Sequence, residues 1–137
     1  MADSLALEVV TPERLVVREE VATVQVPARN GYLGVLPGHA PLLAELGTGS
    51  LYYEGGGRRH YVAVHGGFLE VLQDRVRVLA DAAERGEDID VQRAKDAMKR
   101  AEEQVFHPAA DVDPAVALAD MARAQTRLDA AAQKPPA

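Results

Sequence analysis

The 137-residue chain has no cysteine and no tryptophan, only 4% aromatic residues, and serine at positions 4 and 50 alone. Without cysteine there is no disulfide, no thiolate nucleophile and no zinc site built on sulfur. Neither serine stands in a G-x-S-x-G strand-to-helix elbow, which argues against a serine hydrolase. With so few rings the core must be aliphatic, and an aromatic-lined cleft is not expected. No stretch reaches the roughly 18 to 20 uncharged apolar residues that would span a bilayer. The nearest, Asn30 to Ala44, is interrupted by glycine and proline. The start MADSLALEVV carries an acid at position 3 and no basic lead into an apolar run, so no cleaved secretory signal is expected. A basic surplus is missing too. The net charge is -6, with 8 basic and 12 acidic residues up to Glu87 and 7 basic and 9 acidic after it. Both parts are acidic, so nucleic acid is not an expected partner.

What is present divides into two regions. From Leu5 to about Leu79, short runs of β-branched and alternating residues are separated by turn chemistry. LEVVT, RLVV, VATVQV, LYYE, RHYVAV, FLEVL and RVRVLA are the strand candidates. Pro27, Asn30-Gly31, Pro37-Gly38, Gly47 to Gly49, Gly55 to Gly57, Gly66-Gly67 and Gln73-Asp74 are the breaks between them. This spacing predicts a sandwich or barrel. In RVRVLA, Val76 and Val78 face away from Arg75 and Arg77, because side chains alternate across a strand. One wall is therefore apolar and the other wet. The Gly31 to Gly38 stretch lacks the Gly-Lys-Ser/Thr end of a phosphate loop and reads as a buried turn.

After Arg85-Gly86, glycine disappears and Ala, Glu, Asp, Arg and Lys take over. Asp88 or Asp90 can cap a helix whose stripe is Val91, Ala94, Met98, Ala101 and Val105, ending near Phe106 to Pro108. Asp113 reads as the cap of a second helix with Pro114 at its first position, running over Ala115 to Ala132 and closed by Lys134 and Pro135-Pro136. Its stripe is Val116, Met121, Ala124 and Leu128. Both stripes are narrow and rich in alanine, so each helix must lean on the other or on a partner.

Few constellations in the chain carry chemistry. His60 and His65, five apart on one predicted strand, point to opposite faces and cannot share a metal. His39 and His107 stand alone in turns, and no metal-ligand set is expected. The arginines of the helical part are different. Arg93 and Arg100 are seven apart on one helix face, and Arg123 and Arg127 four apart on another. Like charges at that spacing repel by a few tenths of a kcal/mol and ask for an anionic neighbour. In an antiparallel hairpin the four guanidinium groups could converge beside Asp90. Arginine grips phosphate through paired hydrogen bonds. Asp96, Asp120 and Asp129 are close enough in sequence to supply that neighbour internally, so anion binding and local pairing both stand as readings.

Four segments occur in order: GYLGVLPGHAPL (Gly31 to Leu42), HGGFLEV (His65 to Val71), VRVLADAAER (Val76 to Arg85) and DIDVQRA (Asp88 to Ala94). Together with the change from β-rich to helical composition, they resemble the ε subunit family of bacterial F-type ATP synthases over essentially the whole chain. The resemblance implies an α+β architecture in two parts. Residues 1–86 would form a flattened β-sandwich of about ten short strands, and residues 87–137 an antiparallel two-helix hairpin. It implies a non-catalytic rotor subunit whose sandwich docks on the γ subunit and the c ring. The hairpin would lie folded down on the sandwich or extend towards the catalytic α and β subunits, restraining ATP hydrolysis. The place would be peripheral, on the cytoplasmic face of the inner membrane, without insertion into it.

In some members ATP stabilises the folded-down form through a motif Ile/Leu-Asp-x-x-Arg-Ala and further arginines. Ile89, Asp90, Arg93 and Ala94 match that motif, Arg100, Arg123 and Arg127 match the later arginines, and Glu84 matches an acidic position before the first helix. ATP is thus the expected regulatory ligand, with no metal or other cofactor. For docking, the resemblance points to Gly31, Leu33, Pro37, His39 and Pro41. The second helix has only Arg123, Arg127 and Lys134 as basic residues from Pro114 onwards, so the expected inhibition is modest. Two other classes remain open on the sequence alone: a small β-barrel enzyme of cupin type with a helical tail, and a freestanding adaptor that zips through its hairpin. The first lacks a His/Glu metal cluster, and the second lacks three or four clean heptads.

Overall fold

The computed structural model describes residues 3–135. Pro136, read above as part of the close of the second helix, lies outside the described residues. Seven strands precede two helices: β1 (Leu5–Val10), β2 (Leu15–Val21), β3 (Thr23–Ala28), β4 (Gly31–Val35), β5 (Leu42–Gly55), β6 (Arg58–Leu72), β7 (Arg75–Arg85), α1 (Val91–Phe106) and α2 (Pro114–Ala131). A single 3-10 turn, Gly86–Asp88, joins the two parts. The strands form one open sheet in the order β2-β1-β7-β6-β5-β3-β4, antiparallel except for the β1/β7 pair.

One sheet makes both layers of the sandwich because β5, β6 and β7 each serve in both. Burial alternates along each strand and then slips by one residue at the same level. In β5, Leu46 and then Leu51 and Tyr53 face the core; in β6, Val62 and Val64 and then Leu69 and Val71 do so. In β7 the inward set is Val76, Val78 and Ala80, followed by Ala83. The slip falls at Gly47 to Gly49, at Gly66-Gly67 and near Asp81, positions paired across the sheet. Here the sheet folds over on itself. Gly66 and Gly67 have φ of 69° and 117°, and a Cβ on Gly67 would stand 2.8 Å from Ala80 Cα and inside the Leu79 carbonyl. Only glycine fits there.

This geometry corrects three readings. Gly47 to Gly49 and Gly66-Gly67 are bends inside long strands rather than turns between short ones, which is why seven strands stand where about ten short ones were expected. Gly31–Val35 is edge strand β4, paired antiparallel with β3, and only the Pro37-Gly38 step beyond it turns. In the helices, Val91 and Val116 lie outside the buried set, at 40% and 55% exposed. The buried positions are Ala94 and Ala101 in α1 and Ala117, Ala124, Thr126 and Ala130 in α2. Val91 is the first residue of α1; for α2 the reason is that it is a middle layer, with the sheet on one side and α1 on the other. A single stripe does not describe a helix with two partners.

The core between the layers is aliphatic, with Leu5, Leu7, Val9, Val24, Val26, Leu51, Leu69 and Val78 fully or almost fully buried around Tyr53. Asp90 caps α1 by accepting from Arg93 N–H, and Asp113 caps α2 by accepting from Ala115 N–H, with Pro114 in the first turn.

Candidate functional site

Strand β7 ends on the helix-facing side of the sheet, and the 3-10 turn then delivers Ile89 and Asp90 to the start of α1. Ile89 and Ala94 pack with Tyr61, Ala63 and Ala130 in a second apolar cluster, which holds the root of the hairpin against the sheet. Gly86 lets this happen, since a Cβ there would collide with the carbonyl group of Ala130, its carbon 2.9 Å away.

Above that root lies a cavity of about 250 Å³ lined by Glu84, Ile89, Asp90, Arg93, Ala94, Ala97, Arg100 and Arg127. Seven of the eight site residues named from the sequence meet here, drawn from β7, the connecting turn and both helices. Arg123 does not line this cavity. It lines an adjoining groove of about 640 Å³ between α1 and α2, which shares Ala97, Arg100 and Arg127 with the first and adds Gln104 and Asp120. Ala97 was missed by the sequence reading. Its signal was there: it sits between Arg93 and Arg100 on the same helix face, and its small side chain leaves room.

The charges are partly satisfied from within. Arg127 Nε lies 3.5 Å from Glu84 Oε1, an ion pair that ties α2 to the sheet. Arg123 pairs with Asp120, one turn away on α2. Asp96 and Asp129 instead accept from Gln92 and Gln125. Asp90 spends one carboxylate oxygen on its own helix, 3.1 Å from Arg93 N. Among the described residues, Arg93 and Arg100 have no ion-pair partner. The cavity therefore presents two uncommitted guanidinium groups, with Arg127 shared, and chemically it suits an anion.

The residues named for docking are spread along the β4 edge and the loop after it. Gly31 is exposed, Leu33 packs partly on the core, and Pro37 and His39 are half-buried. Pro41 is exposed. Gly38 N–H donates to Asp74 Oδ1 at 2.7 Å, which fastens this loop to the β6–β7 turn. Of the apolar residues there, Val35 is core, whereas Leu36 is 59% exposed. A feature absent from the sequence reading lies on the sheet face away from the helices. Phe68, Leu79, Val10 and Leu15 pair in succession across β6, β7, β1 and β2. Phe68, Leu79, Leu15 and neighbouring Leu43 are between 45% and 71% exposed. A run of that kind marks a contact surface. Beside it, Glu8 bridges Arg18 and Arg77, and Arg18 above all holds its carboxyl below the usual range.

Residues 4–86 match the family model of the ATP synthase delta/epsilon chain β-sandwich domain, and residues 87–132 that of the delta/epsilon chain long α-helix domain. The chain belongs to the ATP synthase epsilon-chain family. An ATP synthase epsilon chain of Solibacter usitatus is 61% identical over 98% of this chain and 100% of that one. One from Nitratidesulfovibrio vulgaris is 48% identical over 93% and 96%. In fold, a chain of the Euglena gracilis mitochondrial ATP synthase matches with a TM-score of 0.81, covering 96% of this chain and 83% of that one at 24% identity. Family membership makes this a non-catalytic ATP synthase subunit and removes both rival classes, the β-barrel enzyme and the freestanding adaptor. No helix among the described residues is long and apolar enough to cross a membrane.

Proposed function

We infer that the chain works in the rotor stalk of an ATP synthase, with its sandwich docked on the γ subunit and the c ring and its hairpin acting as an ATP-sensitive regulator of hydrolysis. The observation that carries the regulatory part is the convergence of Glu84, Ile89, Asp90, Arg93, Ala94, Arg100 and Arg127 on one cavity. ATP placed there would neutralise Arg93 and Arg100 and reach Arg123 through the shared groove, joining both helices and β7. Because the site exists only when the hairpin is folded down, binding stabilises that form by mass action, by about 2.7 kcal/mol at a hundred times Kd. No protein-bound metal is needed. The extended hairpin would meet the α and β subunits, and with few basic residues in α2 its restraint of hydrolysis is modest.

For docking, the exposed run Leu43, Phe68, Leu79 and Leu15 fits the shaft, since burying it removes a large apolar area from water. The loop with Pro37, His39 and Pro41 fits the c-ring side. In that assembly the chain would be a peripheral subunit at the cytoplasmic face of the inner membrane.

Calorimetric titration of the isolated chain with ATP tests the sensor. Heat of binding is expected, weakened at least tenfold in Arg93→Ala and Arg127→Ala, as loss of a charge-assisted bond of about 1.5–3 kcal/mol requires. No heat at millimolar ATP, or unchanged affinity in both variants, would overturn it. Removal of residues 88–137 from the assembled enzyme should raise ATPase activity only modestly; a very large rise would contradict the inhibitory reading.

A further inference from the structure

The surface between sheet and hairpin contains an anomaly. His65 of β6 faces α2, is 7% exposed, and neither Nδ1 nor Nε2 has a hydrogen-bond partner. Ser50 Oγ, on neighbouring β5 and on the same helix-facing side, is likewise buried without a partner. A buried imidazole in the sandwich core would simply cost stability. This one is covered by α2, a helix held mainly by alanine contacts and by one ion pair to the sheet. Release of the hairpin returns His65 to water, where both nitrogens find partners.

The groups around it make charging more expensive still. From α2, the cations Arg127 and Arg123 act on it. From β5 its neighbours are Thr48 and Ser50, which do not ionise, and from β7 its cross-strand partner is Ala82, with Glu84 two residues on and already engaged by Arg127. On β6 itself, Ala63 and Tyr61 share its face. Asp81, beside Ala82 on β7, is exposed and lies against Gly66; the charges that act on the imidazole are those of Arg127 and Arg123.

We propose that His65 is a proton-operated latch: neutral, it lets α2 lie on the sheet, and protonated, it drives the hairpin off. Burial first, and then Arg127 and Arg123, push the covered imidazole down to about 4 from its ordinary 6.5. Docking favours the neutral form, so it is intact above the free value and weakens steadily as pH falls from about 6.5 towards about 4. Between about pH 7.5 and about pH 5 the ratio of released to docked hairpin should rise roughly 25-fold. Any effect of acid on ATP hydrolysis rests on the rotor reading above; the release itself is a property of the isolated chain and is measured without nucleotide or partner.

Because the chain has no native cysteine, a dye pair can be placed on Glu13→Cys and Glu103→Cys, both exposed, one on the sandwich and one on α1. Energy transfer between them reads docking. Loss of transfer on acidification is expected in the otherwise native chain and in His60→Gln. His65→Leu should stay docked at both pH values. If His65→Leu fails to fold, His65→Gln answers the same question, since it cannot titrate. A native chain that stays docked at about pH 5, or either His65 variant releasing with the native midpoint, would overturn the latch.

Discussion

The sandwich and the hairpin are built from different side chains, and the difference explains what each can do. The sandwich core is a cluster of Val and Leu around Tyr53, nearly all below 5% exposed. Each such residue contributes about 1.5–3 kcal/mol when buried. The hairpin rests on the sheet through Ala94, Ala130, Ile89 and Leu128, and its helices meet through small residues. An alanine methyl is worth about 0.8 kcal/mol. The same surface holds unpartnered Ser50 and His65. The first region is held by large aliphatic side chains and the second by small ones, and on the readings proposed above that difference is what would let an anion or a proton shift the hairpin without disturbing the sandwich.

Four substitutions sharpen that contrast, in falling order of effect. Gly67→Ala forces a methyl into the Leu79 carbonyl at the fold-over of β6 and β7, where φ is 117°; we expect a loss above about 4 kcal/mol, in the exceptional range of single substitutions, read as failure to fold or a steep drop in thermal stability. Leu51→Ala, with its side chain fully buried, should lower the unfolding free energy by about 2–5 kcal/mol in urea titration. Gly86→Ala should act on the arm alone: hairpin amides lose hydrogen-exchange protection while those of β1 to β7 keep theirs. If sandwich protection falls equally, the two regions are one cooperative unit and the comparison fails. Arg29→Ala breaks a wet ion pair to Glu45, 70% and 51% exposed, and should leave the melting temperature unmoved, because such pairs contribute about 0–1 kcal/mol.

Much of this was legible from the residues. Alternation placed Val76 and Val78 inside and Arg75 and Arg77 outside, and Asp90, Asp113 and Pro114 marked helix starts that the structure keeps. The arginine spacing put Arg93 and Arg100 on one face. Less legible was anything that depends on a second partner. Val116 read as part of a buried stripe because periodicity assumes one neighbour, whereas α2 has two. Gly66-Gly67 read as a turn because local chemistry cannot tell a chain reversal from a bend within a strand. Phe68 and Leu79 are far apart in sequence and became a surface only when β6 and β7 paired in register.

By itself the sequence determined the division at Gly86, the aliphatic core, the capped helices and the supply of arginines, because each follows from local propensity, periodicity and composition. Tertiary structure alone decided that one sheet folds over at three strands to make both layers, that Arg127 is shared with Glu84 while Arg93 and Arg100 are left uncommitted, and that His65 is sealed beneath α2. Those outcomes depend on long-range register and on which faces meet, and a linear pattern of side chains does not encode the distances between them.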